Sequence, residues 1–452
     1  MSVNQFLQAM SSFQKITLVS FLLFSTLFAE AQQKDTVTVM TYNLLYYRYN
    51  FVLSNGTVIC SPTGNNNTTT KDNAMEDIFD YTLPDIFVVQ EMDGGNSVSA
   101  FRLLQNAINQ NGRTNYTLAN STGIGQQSIV NMLYFNTDKF ILESQTVYDK
   151  ELNNTNFARM IDHYTLRYND SNLAIHQDTT RIHVLVGHFK ASSGSANVAQ
   201  RARTTESVMA SLDSMNATGN YLFAGDFNMY TSTEAGYQNL VNYVDPTLRF
   251  YDPVSVSGRW SNSSARAITH TQSTHTTGGC FASGGMDDRF DFILASDEII
   301  NNTDKIRYIP NTYKALGQDG NRWNGTIISP ANTTVPSLIS QALYNMSDHL
   351  PVIMDLEINL PIGALSIKEM NQIQKLKFQN PNTGDLLIDL SNQKQEIKII
   401  QILDLTGKVL FEKNSNSSRY VRFDISELTS GAYLIRSISL SYQQKVEKLI
   451  KI

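Results

Sequence analysis

Asp85-Ile86-Phe87-Val88-Val89-Gln90-Glu91 is apolar on both faces that a β-strand presents, so it belongs inside a stack of layers rather than at a sheet edge. The run stops at a carboxylate, Glu91. Other stretches are built the same way. Thr36-Val37-Thr38-Val39-Met40-Thr41-Tyr42-Asn43-Leu44 is a β-branched strand with Asn43 at its end. Arg181 to Phe189 alternates and delivers His188 at its exit, and Tyr221-Leu222-Phe223-Ala224-Gly225 runs into Asp226 and Asn228. Arg289 to Ser296 carries Asp291 in an apolar context, and Ser347-Asp348-His349 leads into the apolar Leu350-Pro351-Val352-Ile353-Met354.

Between these strands the spacing predicts helices from about Asp72 to Tyr81, from Ser97 to Gln110 with Phe101, Leu104 and Ile108 on one side, and from about Asn197 to Met215. Further strands are expected at Ile129 to Phe135, Phe140 to Tyr148 and around His163 to Tyr168. The polar insertion between Tyr46 and Lys71 reads as loop, and Asp245 to Gly285, rich in Ser, Thr, Asn and Gly, as long loops over one rim. Strands and helices alternate, while several strands follow one another directly. That mixture gives an α/β class with two packed sheets and helices outside.

The chain has 452 residues, 41% of them hydrophobic, enough for two or three domains with real cores. Ile16 to Ala29 followed by Ala29-Glu30-Ala31 has the form of an export signal, so residues 1–31 are expected to be removed and the mature protein to be soluble and extracytoplasmic. Cys60 and Cys280 are too few for a disulfide framework; they either pair once exported or remain free and buried. Near Leu360-Pro361-Ile362-Gly363 the pattern changes. Residues 365–452 show short alternating strands split by turns such as Asn380-Pro381-Asn382-Thr383-Gly384 and Asp404-Leu405-Thr406-Gly407, a small all-β sandwich. The expected division is signal peptide 1–31, catalytic domain 32–358, linker 359–364 and β-sandwich 365–452. No transmembrane segment is expected in the mature chain, which reads as a monomer.

Hydrolysis of a phosphate ester needs a cation on the phosphoryl oxygens, a positioned water, a group to orient or deprotonate it, and a proton for the leaving oxygen. The strand exits carry each part. Glu91 and Asp348 are hard oxygen ligands suited to Mg²⁺, with Mn²⁺ or Ca²⁺ as alternatives, and Asn43 is a carbonyl-oxygen partner directly or through water. Asp226 can orient or deprotonate water, and Asn228 can donate to a phosphate oxygen. Asp291 can fix the tautomer of His349, and His188 is a second imidazole for the leaving-group side. His163, His176, His183, His270 and His275 have no motif support and read as structural. Trp260 reads as a loop anchor.

Met40-Thr41-Tyr42-Asn43, Val89-Gln90-Glu91, Gly187-His188, Gly225-Asp226-Phe227-Asn228, Arg289-Phe290-Asp291 and Ser347-Asp348-His349 occur in an order that resembles the endonuclease/exonuclease/phosphatase superfamily, over about residues 34–358. The resemblance implies a four-layer α/β sandwich with its site at one end of the two sheets. It implies Glu91 as the main metal ligand with Asn43 and Asp348 nearby, Asp226 and Asn228 on water and phosphate, and Asp291 paired with His349. His188 falls where deoxyribonuclease-like and sphingomyelinase-like members place a histidine, although no glutamate at the start of the Ile129 strand is evident to partner it. Arg159 sits where some members place a phosphate-contacting arginine.

Phe378-Gln379-Asn380-Pro381, Leu403-Asp404-Leu405-Thr406-Gly407-Lys408, Asp424 to Leu434 and Lys448-Leu449-Ile450-Lys451-Ile452 are similar to the C-terminal sorting domain of the type IX secretion pathway of Bacteroidota. That likeness implies an address read by the secretion machinery and a secreted or cell-surface protein exported through the periplasm. The expected function is a secreted metal-dependent nuclease acting on extracellular DNA or RNA. A phospholipid head-group hydrolase is the alternative, for which Phe51-Val52-Leu53 would be the membrane-facing stretch, and a non-catalytic binding or adhesion protein is the remote one. The net charge of −6, with basic residues in excess only in the tail, argues against a tight non-specific nucleic-acid clamp.

Overall fold

The computed structural model describes residues 33–360, 375–391, 393, 396–415, 418–439 and 444–452. The expected export signal, and the linker beyond Leu360, lie outside the described residues. The chain divides into two compact units, one before and one after this linker region.

The first unit is built on two mixed sheets. One has the order β13-β15-β1-β4-β6-β5, with β14 also pairing β15: β1 Gln33–Tyr47, β4 Ile86–Asp93, β5 Tyr116–Leu118, β6 Ile129–Asn136, β13 Ile306–Tyr308, β14 Lys314–Ala315 and β15 Val352–Leu360. The other has the order β11-β12-β10-β9-β8-β7: β7 Phe140–Lys150, β8 Asn156–Tyr168, β9 Arg181–His188, β10 Tyr221–Asp226, β11 Phe250–Tyr251 and β12 Asp291–Ser296. Strand alternation sorts the apolar residues into three cores. Val37 and Val39 of β1, Ile86 and Val88 of β4, and Val184, Leu222 and Ile293 of the second sheet pack between the sheets. On its other face the first sheet buries Met40, Tyr42, Phe87 and Val89 against helices α1 Thr68–Thr82 and α5 Ser337–Met346. The outer face of the second sheet buries Leu185, Phe223 and Phe292 against α3 Ser195–Ser214 and α4 Ala235–Val241. These are four layers, helix, sheet, sheet, helix, as the central strands' two-sided apolarity requires.

Two expectations are corrected. The segment from Ser97 is a helix α2, Val98–Leu103, followed by a π turn at Leu104–Ile108. Its core stripe runs through Ala100, Leu103, Ala107 and Ile108, and Phe101 lies off that stripe, exposed. The insertion after Tyr46 is not all loop, because Phe51–Val52 (β2) and Val58–Cys60 (β3) pair as a hairpin.

Cys60 and Cys280 form a disulfide across 220 residues of sequence. It joins the hairpin to the long loop preceding β12, in a small cluster with Leu45, Tyr46, Phe51 and Phe281. Closing so long a loop constrains the unfolded chain strongly. The Cys60→Ala/Cys280→Ala protein is expected to lose about 2–4 kcal/mol, read as a lower urea midpoint with a steeper slope, since the uncrosslinked chain unfolds to a more expanded state.

The second unit pairs a three-stranded sheet, β16 Lys377–Phe378, β17 Asp385–Asp389 and β20 Tyr420–Asp424, with a four-stranded one, β18 Ile397–Leu403, β19 Val409–Asn414, β21 Gly431–Ser439 and β22 Gln444–Lys451. Leu386, Ile388 and Phe423 of the first sheet meet Ile400, Ile402, Ile435 and Leu449 of the second in one core. Its strands pair antiparallel, with one isolated parallel bridge between Asn382 and Lys451, and no helix occurs among its described residues from 375 on.

Candidate active site

The site lies where β1, β4, β9 and β10 end and where β12 and β15 begin. Register puts three of its residues in one row: Asp226 pairs with His188 across β10 and β9, and with Asp291 across β10 and β12. The row depends on a glycine. Gly225 stands opposite Gly187, at φ +137°, and a Cβ on Gly225 would collide with the Gly187 carbonyl. Only glycine permits that approach, which is the physical content of Gly-Asp at the exit of β10.

In the other sheet the ladder breaks at the site. The β1 and β4 pairing shifts register between Asn43 and Tyr47, and the β4 and β6 pairing between Val89 and Met92. Such bulges redirect a side chain out of the pleat. Glu91 sits in this break at φ +61°, and Leu45 and Tyr46 are also left-handed, at +45° and +50°. Non-glycine residues persist there only where surrounding contacts hold them, and several do. The Tyr46 amide donates to Glu91 Oε2 at 3.1 Å, the Leu45 amide to Asn43 Oδ1 at 3.0 Å, and buried Lys71 Nζ to the carbonyls of Leu44 and Leu45 at 2.7 and 2.6 Å. Burial pushes the Lys71 ammonium down to about 7 against the opposing pull of Asp348 and Glu91.

Around these supports the polar groups converge. Asn43 Nδ2 donates to Asp226 Oδ2 at 3.0 Å and to Glu91 Oε1 at 3.3 Å. His188 Nε2 lies 3.6 Å from Glu91 Oε1 and 3.5 Å from Asp226 Oδ2. His349 Nδ1 is 2.7 Å from Asp291 Oδ2, and its Nε2 is 3.9 Å from Asp226 Oδ2. The Ser347 hydroxyl ties the last loop to the first strand, donating to the Asn43 carbonyl at 2.7 Å and accepting from the His349 amide at 3.1 Å. Asp348 Oδ2 accepts from the Ala282 amide at 2.8 Å. Asn228, at φ +51°, donates its backbone amide to Asp226 Oδ1 and its side-chain amide to the Phe189 carbonyl. Arg159 donates to the same carbonyl at 2.8 Å. Glu91, Arg159, His188, Asp226, Asn228 and the Asp348-His349 pair all line one open cleft of about 400 Å³. Asn43 and Asp291 stand behind that lining, each bonded to a residue in it.

The electrostatics separate the two imidazoles. Burial would lower His349, but the Asp291 carboxylate with its hydrogen bond, then Asp226 and Asp348, outweigh it and hold the ring well above its ordinary pKa. Burial and the Arg159 charge hold His188 well below its ordinary value. Burial pushes Asp226 up to about 7, His349 opposing and Asp291 and Glu91 reinforcing, and it also raises Glu91.

Among the described residues, no group of three or more His, Cys, Asp or Glu side chains stands as a metal-ligand set. The donor chemistry nevertheless suits a hard cation. Glu91, Asp226, Asp291 and Asp348 are all buried together, with Arg159 the guanidinium beside them. Like charge confined this closely is unfavourable without added positive charge, and carboxylate oxygens are the donors that Mg²⁺ and its relatives take.

Sequence reasoning passed over Gln272, whose amide lies 2.7 Å from His349 Nε2. It sits in a Thr- and Ser-rich loop with no periodicity to single it out. A doubly protonated His349 requires the Gln272 amide oxygen to face it. The Ala282 amide carries no sequence signal at all. Other histidines serve elsewhere: His163 and His183 bond each other at 3.2 Å, and His275 is stacked between Phe281 and Tyr344. Trp260 is fully buried, with its indole N–H on the Met229 carbonyl, an anchor.

Residues 378–452 match the Secretion system C-terminal sorting domain. The second unit is therefore a sorting module, and the protein is a secreted or cell-surface one. No curated protein sequence matches the chain. Solved structures similar to it include an endonuclease/exonuclease/phosphatase family protein from Bacteroides thetaiotaomicron, 13% identical, covering 73% of this chain and 98% of that one at a TM-score of 0.44. An endonuclease/exonuclease/phosphatase from Bacteroides vulgatus is 14% identical over 72% of this chain and 99% of that one, at 0.45. The mannosyl-6-phosphatase Bt3783 of Bacteroides thetaiotaomicron VPI-5482 is 13% identical over 71% and 99%, at 0.43. Among the described residues, no helix is long and apolar enough to cross a membrane.

Proposed function

We propose that the first unit is a phosphoester hydrolase of the endonuclease/exonuclease/phosphatase type, a secreted, divalent-cation-dependent nuclease acting on extracellular DNA or RNA. The observation that carries it is the convergence on one cleft of Glu91, Asp226, Asn228, Asp348 and an Asp291-held His349, with Arg159 alongside. Glu91 and Asp348, with Asn43 alongside, would hold Mg²⁺, which would supply positive charge to the phosphoryl oxygens. Asp226, poised near neutrality, orients and deprotonates the attacking water. Asn228 and Arg159 hold the phosphate. His349, kept charged by Asp291, is the better proton source for the departing oxygen; His188, kept neutral by burial, is suited to hydrogen bonding within the site. The type IX machinery is the partner implied by the sorting module.

Purified protein with Mg²⁺ is expected to nick plasmid DNA or degrade RNA, EDTA to stop it, and Asp226→Ala to lack it. A specific feature favours the lipid reading as second choice: the β2–β3 hairpin exposes Val52, Leu53 and Val58. Head-group release from sphingomyelin or phosphoinositide vesicles without nucleic-acid cleavage would replace the first reading by the second.

A further inference from the structure

Beside the cleft lies a larger cavity of about 710 Å³, within the roughly 300–1,000 Å³ of sites that enclose small organic molecules. The two adjoin, since Tyr46, Phe51 and Arg159 line both. Of the residues given roles in hydrolysis above, it contains only Arg159 among its lining. Its lining is of three kinds. Tyr46, Tyr49 and Phe51 form an aromatic wall, with Tyr46 stacked on Phe51 at 4.9 Å and tilted to Tyr49 at 5.9 Å. Gln126, Gln127 and Asn156 bring side-chain amides, which can both donate and accept. Arg159 and Lys150 bring positive charge, against the single carboxylate of Asp149.

We infer that this cavity is a nucleotide subsite of the same active site: a base next to the scissile phosphate leaves its stack and lies on the Tyr46/Tyr49/Phe51 wall, so single-stranded nucleic acid is the preferred substrate. The inference rests on the nuclease reading and narrows it. An aromatic face takes any base, because every base has a π-face, and each such contact contributes about 1–3 kcal/mol. Amides at the same cavity can bond base edges without committing to one sequence. Two cations suit one or two flanking phosphates, not the many needed to clamp a duplex across an acidic surface. A base inside a duplex offers its faces only to its neighbours, and extruding it costs a few kcal/mol. The wall is therefore open to single strands and largely closed to duplexes. Its aromatic residues come from the β1 exit and the hairpin, which the Cys60–Cys280 bridge holds beside the cleft.

The test compares kcat/KM of the full mature protein with Mg²⁺ on one oligonucleotide, alone and annealed to its complement, for wild type, Tyr49→Ala and Tyr49→Trp. Gln126→Ala is a second variant should Tyr49→Ala fold poorly. The expected result is faster cleavage of the single strand, by about tenfold or more. Tyr49→Ala should lower it by about 5–150-fold, the range that 1–3 kcal/mol per base corresponds to, chiefly through KM, with rescue by tryptophan and with duplex cleavage unchanged. Equal cleavage of both forms, indifferent to Tyr49 and Gln126, overturns the subsite and leaves the nuclease reading intact. Failure to cut either form, alongside phosphate release from a hexose phosphate or a lipid, ends both.

Discussion

His349→Ala is expected to lower kcat for phosphodiester cleavage by about 10²–10⁴-fold, the usual contribution of a positioned acid or base, with little change in KM, and also to lower the urea midpoint, because buried Asp291 loses its imidazole partner. The reason is the Asp291–His349 pair, with its 2.7 Å hydrogen bond at the mouth of β12. Asp291→Asn tests the same pair with a sign. The carboxylate holds the imidazole's pKa up against burial, so the charged ring persists to high pH in the wild type. Without it, burial prevails and the ring deprotonates at lower pH. Activity that needs the charged ring is lost as pH rises through its pKa, so the alkaline limb of the kcat profile should move to lower pH in Asp291→Asn. An unmoved limb would mean that His349 does not act as a charged donor.

The largest expected effect on stability lies beneath the site. Arg289 is fully buried and makes two bonds to Asp252, at 2.7 and 2.9 Å, with its guanidinium 4.3 Å from the Phe292 ring centroid and a further bond to the Tyr313 hydroxyl at 3.2 Å. Arg289→Met leaves the Asp252 carboxylate buried with only the Tyr237 hydroxyl as a side-chain partner, and is expected to cost about 3–5 kcal/mol in urea denaturation. Removing both charges restores most of the loss, because two desolvation penalties disappear together. Arg289→Met/Asp252→Leu should therefore be far more stable than Arg289→Met alone. If the double variant is as unstable as the single, the pair's value lies in its packing rather than in its charges.

The layers were legible because burial on both faces leaves a continuous apolar signature, and strand exits were legible because such runs stop abruptly at Asn43, Glu91, His188 and Asp226. What the pattern could not carry was the local backbone at those exits. The bulges at Asn43 and Val89, and the left-handed Leu45, Tyr46 and Glu91, turn the side chains toward one another, yet no residue type there announces a positive φ. Lys71 and Gln272 act across chain separations that a one-dimensional reading does not cross. Phe101 failed for a different reason: a short helix followed by a π turn has no constant period to read. Arg289 stands within a site motif in the sequence, whereas its contacts with Asp252 and Tyr313 belong to the support of the site. The cysteines were left open because their partnership depends on a fold that brings positions 220 residues apart together.

That partnership also sets a time and a place. One sulfur comes from the hairpin and the other from the loop whose Ala282 amide holds Asp348, so the bond fastens two walls of the cleft to each other. Thiols stay reduced in the cytoplasm and oxidise outside it. A newly made chain therefore carries the residues of the cleft with the walls around them still untied, and the fastening is completed only after export.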